Sequence, residues 1–579
     1  MRKSKRFLAV VLAVVLVTSL FVSCGKKTDT NTSSGSNTGS ESTTGKESSA
    51  ANLPVDESGN PSPFGRYKEP ITVRIAQSVN ATDVIPEGQT ATDNQYTRYV
   101  KEKMNIDVEV VWQAASGNDF DQKVNMSIAA GDLPDILVVK EAQFRSILES
   151  GLAAELSDVY NVYASDTIKT MIDKTEGKSM QAVTKDGKMM ALPGVQVEMD
   201  GYNLLWIRQD WLDELGLPAP KTIQDVYDVG KAFVDNKMAG DKTIGLLGPT
   251  SGNILYHNFL NSANGTYTLD GIFASFKAYP GMWLKDQDGN AVYGSLTPET
   301  KTSLEYLAKM YKDGILDQEL GTRKDAGEAF KSGQAGMFFG PWWMGYGGIK
   351  DAVANDPEAS WVAYASPLTS EGTWEPRLGA STIEYTIVNK DFDHPEAVML
   401  LTNYLVRDEK DMDTTSLGPS YYPARTVLAA LDECTYSVEV LREYLKTGKA
   451  PEFDGALYKL LDDDIANVKA TKLEPYDDMR IQYWSPKNDN FSRMLSLLNG
   501  AGCVVDAEQN LEVNKVYSLI YSQTETMEKR WTNLKKLEDE VFLKIILGTA
   551  SIDEFDAFVQ KWKEQGGDQI TGEVQATLK

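Results

Sequence analysis

IDVEVVWQAASGNDFDQKVNMSIAAGDLPDILVV, Ile106 to Val139, holds two apolar strands around one helix. Ile106 to Trp112 alternates with the period of two of a strand. Phe120 to Ala130 carries the helical period and stops at Gly131-Asp132. Pro134 to Val139 is a short apolar run that reads as a buried strand. Outward toward the N-terminus, Ile71 to Ala76 alternates again. Asn94 to Met104 sets Tyr96, Tyr99, Val100 and Met104 on one helical face. Strand, helix, strand, helix, strand is the order of a parallel α/β sheet.

Toward the C-terminus the same alternation continues. Gln143 to Ser150 is a short helix ended by Gly151, and Leu192-Pro193-Gly194 breaks the chain. Tyr202 to Ile207 is strand-like, and Arg208 to Leu215 is a helix ended by Gly216. Thr222 caps a helix through Phe233. Thr297-Pro298 opens another over Glu299 to Tyr311, with proline at its first position. Ala335 to Phe339 reads as a buried strand, and Gly340-Pro341 turns the chain at its end. Strands follow at Trp361 to Ala365 and Glu384 to Val388. From Pro395 onward the pattern is mostly helical, down to Phe555 to Trp562.

At 579 residues the chain exceeds what one hydrophobic core serves, so two or more lobes are expected. A formal charge of −25 argues against nucleic acid and anionic membrane surfaces, which need a basic face. Only two histidines, His257 and His394, are present. A His-rich metal site is thereby all but excluded, and a histidine triad would have to use one of the two. No Gly-x-Ser-x-Gly elbow flanks either, and no phosphate-cradling Walker motif is present. Asp286 to Asn290, between Trp283-Leu284 and Val292-Tyr293, reads as a hairpin turn.

The first residues, MRKSKRFLAVVLAVVLVTSLFVSC, join a basic start to an apolar run that ends in small residues before Cys24. This is a secretory signal over residues 1–23. The run is short for a bilayer span, which needs about 20 apolar residues. Phe21-Val22-Ser23-Cys24 resembles a bacterial lipobox, which implies that Cys24 is lipidated and begins the mature chain. Residues 24–63 are rich in Ser, Thr, Gly and Asn and read as a flexible linker. The expected location is the outer face of the cell membrane, with the lipid as the only membrane contact. Cys434 and Cys503 remain, and spacing does not decide whether they pair.

Four stretches carry a resemblance to a family. Ile106 to Val139 is the first, and LLWIRQDWLDELGLPAPKTIQDV (204–226) the second. LTPETKTSLEYLAKMYKDGILDQEL (296–320) and EAFKSGQAGMFFGPWW (328–343) complete the set. In this order behind a lipobox, they resemble the extracellular sugar-binding proteins of bacterial ABC transporters, the family that includes the maltodextrin-binding protein. KIILGTASIDEFDAFVQKWKEQGGDQI (544–570) further resembles the large oligosaccharide-binding lipoprotein branch. The resemblance implies a two-lobed α/β fold with a hinge, a central ligand cleft and a helical C-terminal part. One lobe would hold 71–192 and 366–407, the other 200–365 and 410–579. It implies a monomer that captures an oligosaccharide and passes it to the permease subunits, with no catalytic residue, no cofactor and no nucleic acid. Large members often carry a calcium loop. Val234 to Gly245 occupies its place, but Met238 and Ala239 break the ligand spacing, so no metal is expected.

The chain's 11 Trp and 26 Tyr are a stock of rings that cover a sugar's flat face while polar groups meet its edge. In the resemblance, Trp342 falls on a tryptophan that stacks on sugar, and its neighbour Trp343 points elsewhere. Trp112 ends a strand, at the sheet edge that faces a cleft in such folds. Tyr202, Trp206, Trp283, Trp374, Tyr385, Tyr421, Tyr422, Tyr483 and Trp484 are further candidate platforms, with core packing the competing reading for each. Arg377, in a glycine-flanked loop, is a candidate polar contact. A secreted carbohydrate-active enzyme and a surface glycan sensor or adhesin stay open as alternatives.

Overall fold

The computed structural model describes residues 52–79, 84–261, 265–414, 416–471 and 490–578. The signal segment, Cys24, Tyr483 and Trp484 lie outside them. In chain order, the first lobe is built from β1 (Ile71–Val79), α1 (Gln95–Met104), β2 (Ile106–Ala115), α2 (Asn118–Ala130), β3 (Ile136–Val139), α3 (Glu141–Glu149) and β4 (Leu192–Val195). The second takes β5 (Leu204–Arg208), α4 (Ile223–Asp235), β6 (Ile244–Leu246), α5 (Pro298–Lys312), β7 (Ala335–Gly340) and β8 (Trp361–Tyr364). The chain then returns with β9 (Thr382–Val388) and α6 (Ala397–Asp408). The helical remainder includes α7 (Glu433–Thr447), α8 (Leu461–Thr471), α9 (Gly502–Asn510), α10 (Glu525–Ile546) and α11 (Glu554–Trp562).

Local chemistry sets the boundaries. The Asn94 side chain accepts the Tyr96 and Thr97 N–H groups and starts α1, and Asn105 in the left-handed region ends it. Gly131, at φ +67°, closes α2. Thr222 caps α4, and Thr297 caps α5 with Pro298 at its first position. Trp283–Lys285 and Ala291–Tyr293 pair antiparallel, so residues 286–290 form a hairpin turn.

Two sheets result. The first has the order β2-β1-β3-β9-β4, with β1 parallel to β2 and β3, and β9 antiparallel to both β3 and β4. The second has the order β8-β5-β7-β6, in which only β7 and β6 run parallel. Alternation along the second sheet feeds two cores. Trp206, Phe338 and Trp361 pack on one face, into a core shared with lobe one and with α7 and α9. Leu205, Ile207, Met337 and Phe339 pack on the other, against α5, α10 and α11. A buried ion pair braces this lobe: Asp317 is 1% exposed and takes Arg323 Nη2 at 2.6 Å.

The described residues begin at 52, within the stretch that composition assigns to the linker. Val55 bridges Arg66, Pro54 is buried, and Asn403 Nδ2 donates to the Pro63 carbonyl at 2.8 Å. A compositional average over residues 24–63 hides this short apolar end. Lys237 to Asp241, inside the segment tested for a calcium loop, holds a lysine–aspartate pair at 2.7 Å. Cys434 and Cys503 are both free thiols. Among the described residues no helix is long and apolar enough to cross a membrane.

Candidate functional site

The parallel strands β1, β2 and β3 deliver their carboxyl ends to one edge of lobe one. A cavity of about 290 Å³ opens there. Gln77 and Ser78 line it from β1, Lys140 and Gln143 from the turn into α3, Glu384 from β9, and Ser420, Tyr422 and Arg425 from the segment after α6. Gln77 Nε2 donates to the Ser420 carbonyl at 2.8 Å and so ties that segment to the sheet. Gln143 folds back over the start of α3, where its Oε1 accepts the Lys140 N–H at 3.0 Å. Lys140 Nζ pairs with Asp121 at 2.6 Å.

Glu384 projects from β9 beside Gly194 of β4. A Cβ on Gly194 would sit 3.1 Å from Glu384 Cβ and 3.2 Å from the Val427 carbonyl, so the glycine admits the close approach of residues 427–429. Glu384 Oε2 accepts the Val427 N–H at 3.4 Å. Burial pushes its carboxyl above the ordinary range, while that N–H and the Arg425 charge oppose the shift. Arg425 Nη2 reaches Glu409 at 3.4 Å, and Lys459 meets the same carboxylate.

A polar seam continues toward the second lobe. Glu433, at the first turn of α7, is 8% exposed and feels Lys459, Asp464, Arg493 and Glu409. Burial raises its carboxyl to about 7. Arg493 Nη2 pairs with Asp464 at 3.1 Å. Both charges act on Tyr346, as does Asp200. Asp200 in turn accepts the indole N–H of Trp342 at 2.8 Å. Burial pushes the Asp200 carboxyl up, and the Trp342 bond opposes this.

Trp342 follows Pro341 at the end of β7, as the sequence places it. It is 9% exposed, and it meets the ring of Tyr346 edge-on at 6.1 Å. Tyr346, which the sequence reading passed over, is 46% exposed and is the most open ring of this wall. The turn Gly345–Ile349 that carries it presses on the Ser492 to Ser496 helix. A Cβ on Gly345 would lie 2.3 Å from the Ser492 carbonyl oxygen. Trp343 is half-buried and packs over Gly347.

The other sequence candidates scatter. Trp112 is half-exposed on β2, against Phe120 at 5.2 Å and under Lys123 at 5.5 Å, and Phe120 lines the cavity. Tyr385 neighbours Glu384 but is buried, stacked on Phe144 at 4.7 Å. Tyr421 is buried, and Tyr422 donates to the Leu401 carbonyl at 2.8 Å. Tyr202 is buried on Trp374 at 5.4 Å, its hydroxyl 2.9 Å from Glu508. Trp206 and Trp283 are fully buried, the latter against Tyr293 and Trp562. Arg377, the candidate polar contact, is buried and donates to the Asn258 and Asn261 carbonyls at 2.8 and 2.9 Å. These side chains satisfy core partners, which a single sequence does not display. Glu384, Arg425, Gln77 and Gln143 were missed. The one available signal was Glu384, a charge inside the apolar run Thr382–Val388.

His257 is buried and uses both ring nitrogens. Nδ1 meets Asp270 at 2.8 Å, and Nε2 takes the Gly265 N–H. It stands as a structural histidine between two loops. The described site is therefore a set of hydrogen-bonding side chains and rings facing a cavity at the strand ends of a two-lobed α/β fold. That arrangement suits the binding of a solute.

Residues 82–412 match the family model of the bacterial extracellular solute-binding proteins, and the chain belongs to that family. Its place is accordingly outside the cytoplasm. Among characterised relatives, the polygalacturonan/rhamnogalacturonan-binding protein YtcQ of Bacillus subtilis strain 168 is 23% identical over 503 residues, 83% of this chain and 87% of YtcQ. The fructooligosaccharide ABC transporter substrate-binding protein FusA of Streptococcus pneumoniae is 25% identical over 218 residues, 35% of this chain and 38% of FusA. Among solved structures, an HMO-binding, ABC-transporter-associated solute-binding protein from Bifidobacterium longum infantis superposes with a TM-score of 0.57 at 16% identity, over 88% of this chain and 98% of that one. It shares the two-lobed fold.

Proposed function

We propose that this protein captures an oligosaccharide between its lobes and delivers it to the permease subunits of an ABC importer. The observation that carries the reading is the strand-end cavity. Gln77, Ser78, Gln143, Ser420 and Glu384 line it with amide, hydroxyl and carboxyl groups, and the charged seam from Arg425 through Glu433 and Arg493 leads on to Tyr346 and Trp342. Rings cover the faces of a sugar, and acceptors and donors meet its hydroxyls. Kinship with proteins named for polysaccharide fragments supports the ligand class. The protein acts as a monomer, tethered by a lipid on Cys24, and returns its ligand unchanged. Closure requires that the ligand bind the closed arrangement better than the open one.

The test is titration of the purified chain against a glycan panel, followed by tryptophan fluorescence and calorimetry. A saturable response to at least one oligosaccharide, with no product formed, is expected. Silence toward every sugar together with a response to peptides would end the sugar reading. Turnover of a glycan, abolished by one carboxylate substitution, would make the protein an enzyme.

A further inference from the structure

We propose that the strand-end cavity selects an uncharged oligosaccharide and turns away uronate-bearing ones, with Glu384 as the residue that sets this preference. The inference rests on the glycan-capture reading. It departs from what the name of YtcQ would suggest by kinship.

A ligand carboxylate is held by a cation with donors to spare, most often a bidentate arginine. Along the described cavity and seam the cations are already matched. Lys140 is taken by Asp121 at 2.6 Å. Arg425 at 3.4 Å and Lys459 share Glu409. Arg493 holds Asp464 at 3.1 Å. The Nε of Arg425 has no partner among the described residues, but that atom is sealed from solvent.

The carboxyl of Glu384 is the opposite case. It faces the cavity from β9, its bond to the Val427 N–H is long at 3.4 Å, and no described lysine or arginine lies within ion-pair distance of it. Such a group accepts from a sugar hydroxyl through a strong charge-assisted bond. The same group repels a uronate in a cavity where water screens poorly. The chain's charge of −25 adds repulsion at longer range.

The experiment measures affinities of the full chain for oligogalacturonides and for their carboxyl-reduced counterparts of identical linkage and length. A wider panel of neutral and uronate oligosaccharides runs beside them at low salt. Neutral members are expected to bind at least tenfold tighter than their acidic counterparts. Glu384→Gln is expected to weaken the neutral ligand at least tenfold and to narrow the gap between the two classes, with an unchanged or higher unfolding midpoint. If Glu384→Gln does not fold, Glu384→Asp carries the test: it keeps the charge, shortens the reach, and should weaken neutral ligands while still refusing uronates. An acidic glycan that binds tighter than its reduced form would overturn the proposal and leave glycan capture standing. So would a Glu384→Gln variant with wild-type affinity and preference. If neither class binds, glycan capture itself fails and takes this inference with it.

Discussion

Replacing Glu433 by glutamine should make the protein more stable at pH 8 and leave it nearly unchanged at pH 4. Glu433 sits at the start of α7, 8% exposed, with Lys459 and Arg493 drawing its carboxyl down and Asp464 and Glu409 pushing it up. Burial dominates and carries it from an ordinary 4.5 to about 7. At about 1.4 kcal/mol for each tenfold change in proton affinity, this amounts to roughly 3 kcal/mol. The amino end of a helix favours a negative charge by ~0.3–1 kcal/mol, which trims the figure to roughly 2–3 kcal/mol. The sign follows from proton counts. Between pH 4.5 and 7 the native state holds the proton more tightly than the unfolded chain. This group's contribution is therefore fully present below pH 4.5, falls as pH rises through 7, and is flat above. Glutamine mimics the protonated form at every pH. Urea unfolding of wild type and Glu433→Gln at intervals from pH 4.5 to 8 reads the difference directly. A gap that opens by roughly 2–3 kcal/mol toward pH 8 is expected. A gap that stays constant across that range would refute the account of Glu433 as a buried carboxyl short of counter-charge.

Three further outcomes are expected. Gly345→Ala places a methyl group 2.3 Å from the Ser492 carbonyl oxygen, a backbone clash that no rotamer relieves. It should cost ~2–3 kcal/mol in urea unfolding and loosen the turn that presents Tyr346, with weaker glycan binding as the second readout. Trp342→Phe keeps a ring in the packed site but loses the 2.8 Å bond to Asp200. Its stability should fall by no more than ~2 kcal/mol, whereas glycan affinity measured by calorimetry should drop at least tenfold. Asp317→Ala leaves Arg323 in the second lobe with only the exposed Glu319 at 3.3 Å and should cost ~3 kcal/mol, seen as a lowered unfolding midpoint. Wild-type stability in that variant would mean the pair is hydrated.

The α/β pattern from Ile71 to Val139 was legible because each strand and helix there carries its own period and its own stop. Asn94, Gly131 and Thr222 act within one turn of where they stand in the chain. The cavity was not legible for the opposite reason. Its walls come from β1, α3, β9 and residues 420–427, which meet only through long-range pairing. Ring chemistry alone also cannot tell a core tyrosine from a sugar platform. Tyr202 and Tyr385 have the composition of platforms and the partners of core residues. Trp342 could be placed at a strand end, though not as a platform, because it follows a glycine-proline turn. Its bond to Asp200 depends on a loop more than a hundred residues earlier.

The position of β9 has a consequence for the order in which the chain can assemble. β4 reaches the first sheet only through β9, and β9 is made after every strand of the second sheet. As the polypeptide emerges from its amino end, residues 204–364 can complete their four strands while the first sheet still lacks the strand that joins β3 to β4. An unfilled slot beside β3 then exposes a row of unpaired backbone groups until residue 388 arrives. The first sheet is thus completed after the second. A truncation anywhere between residues 365 and 381 would leave it with two open edges rather than a smaller stable domain.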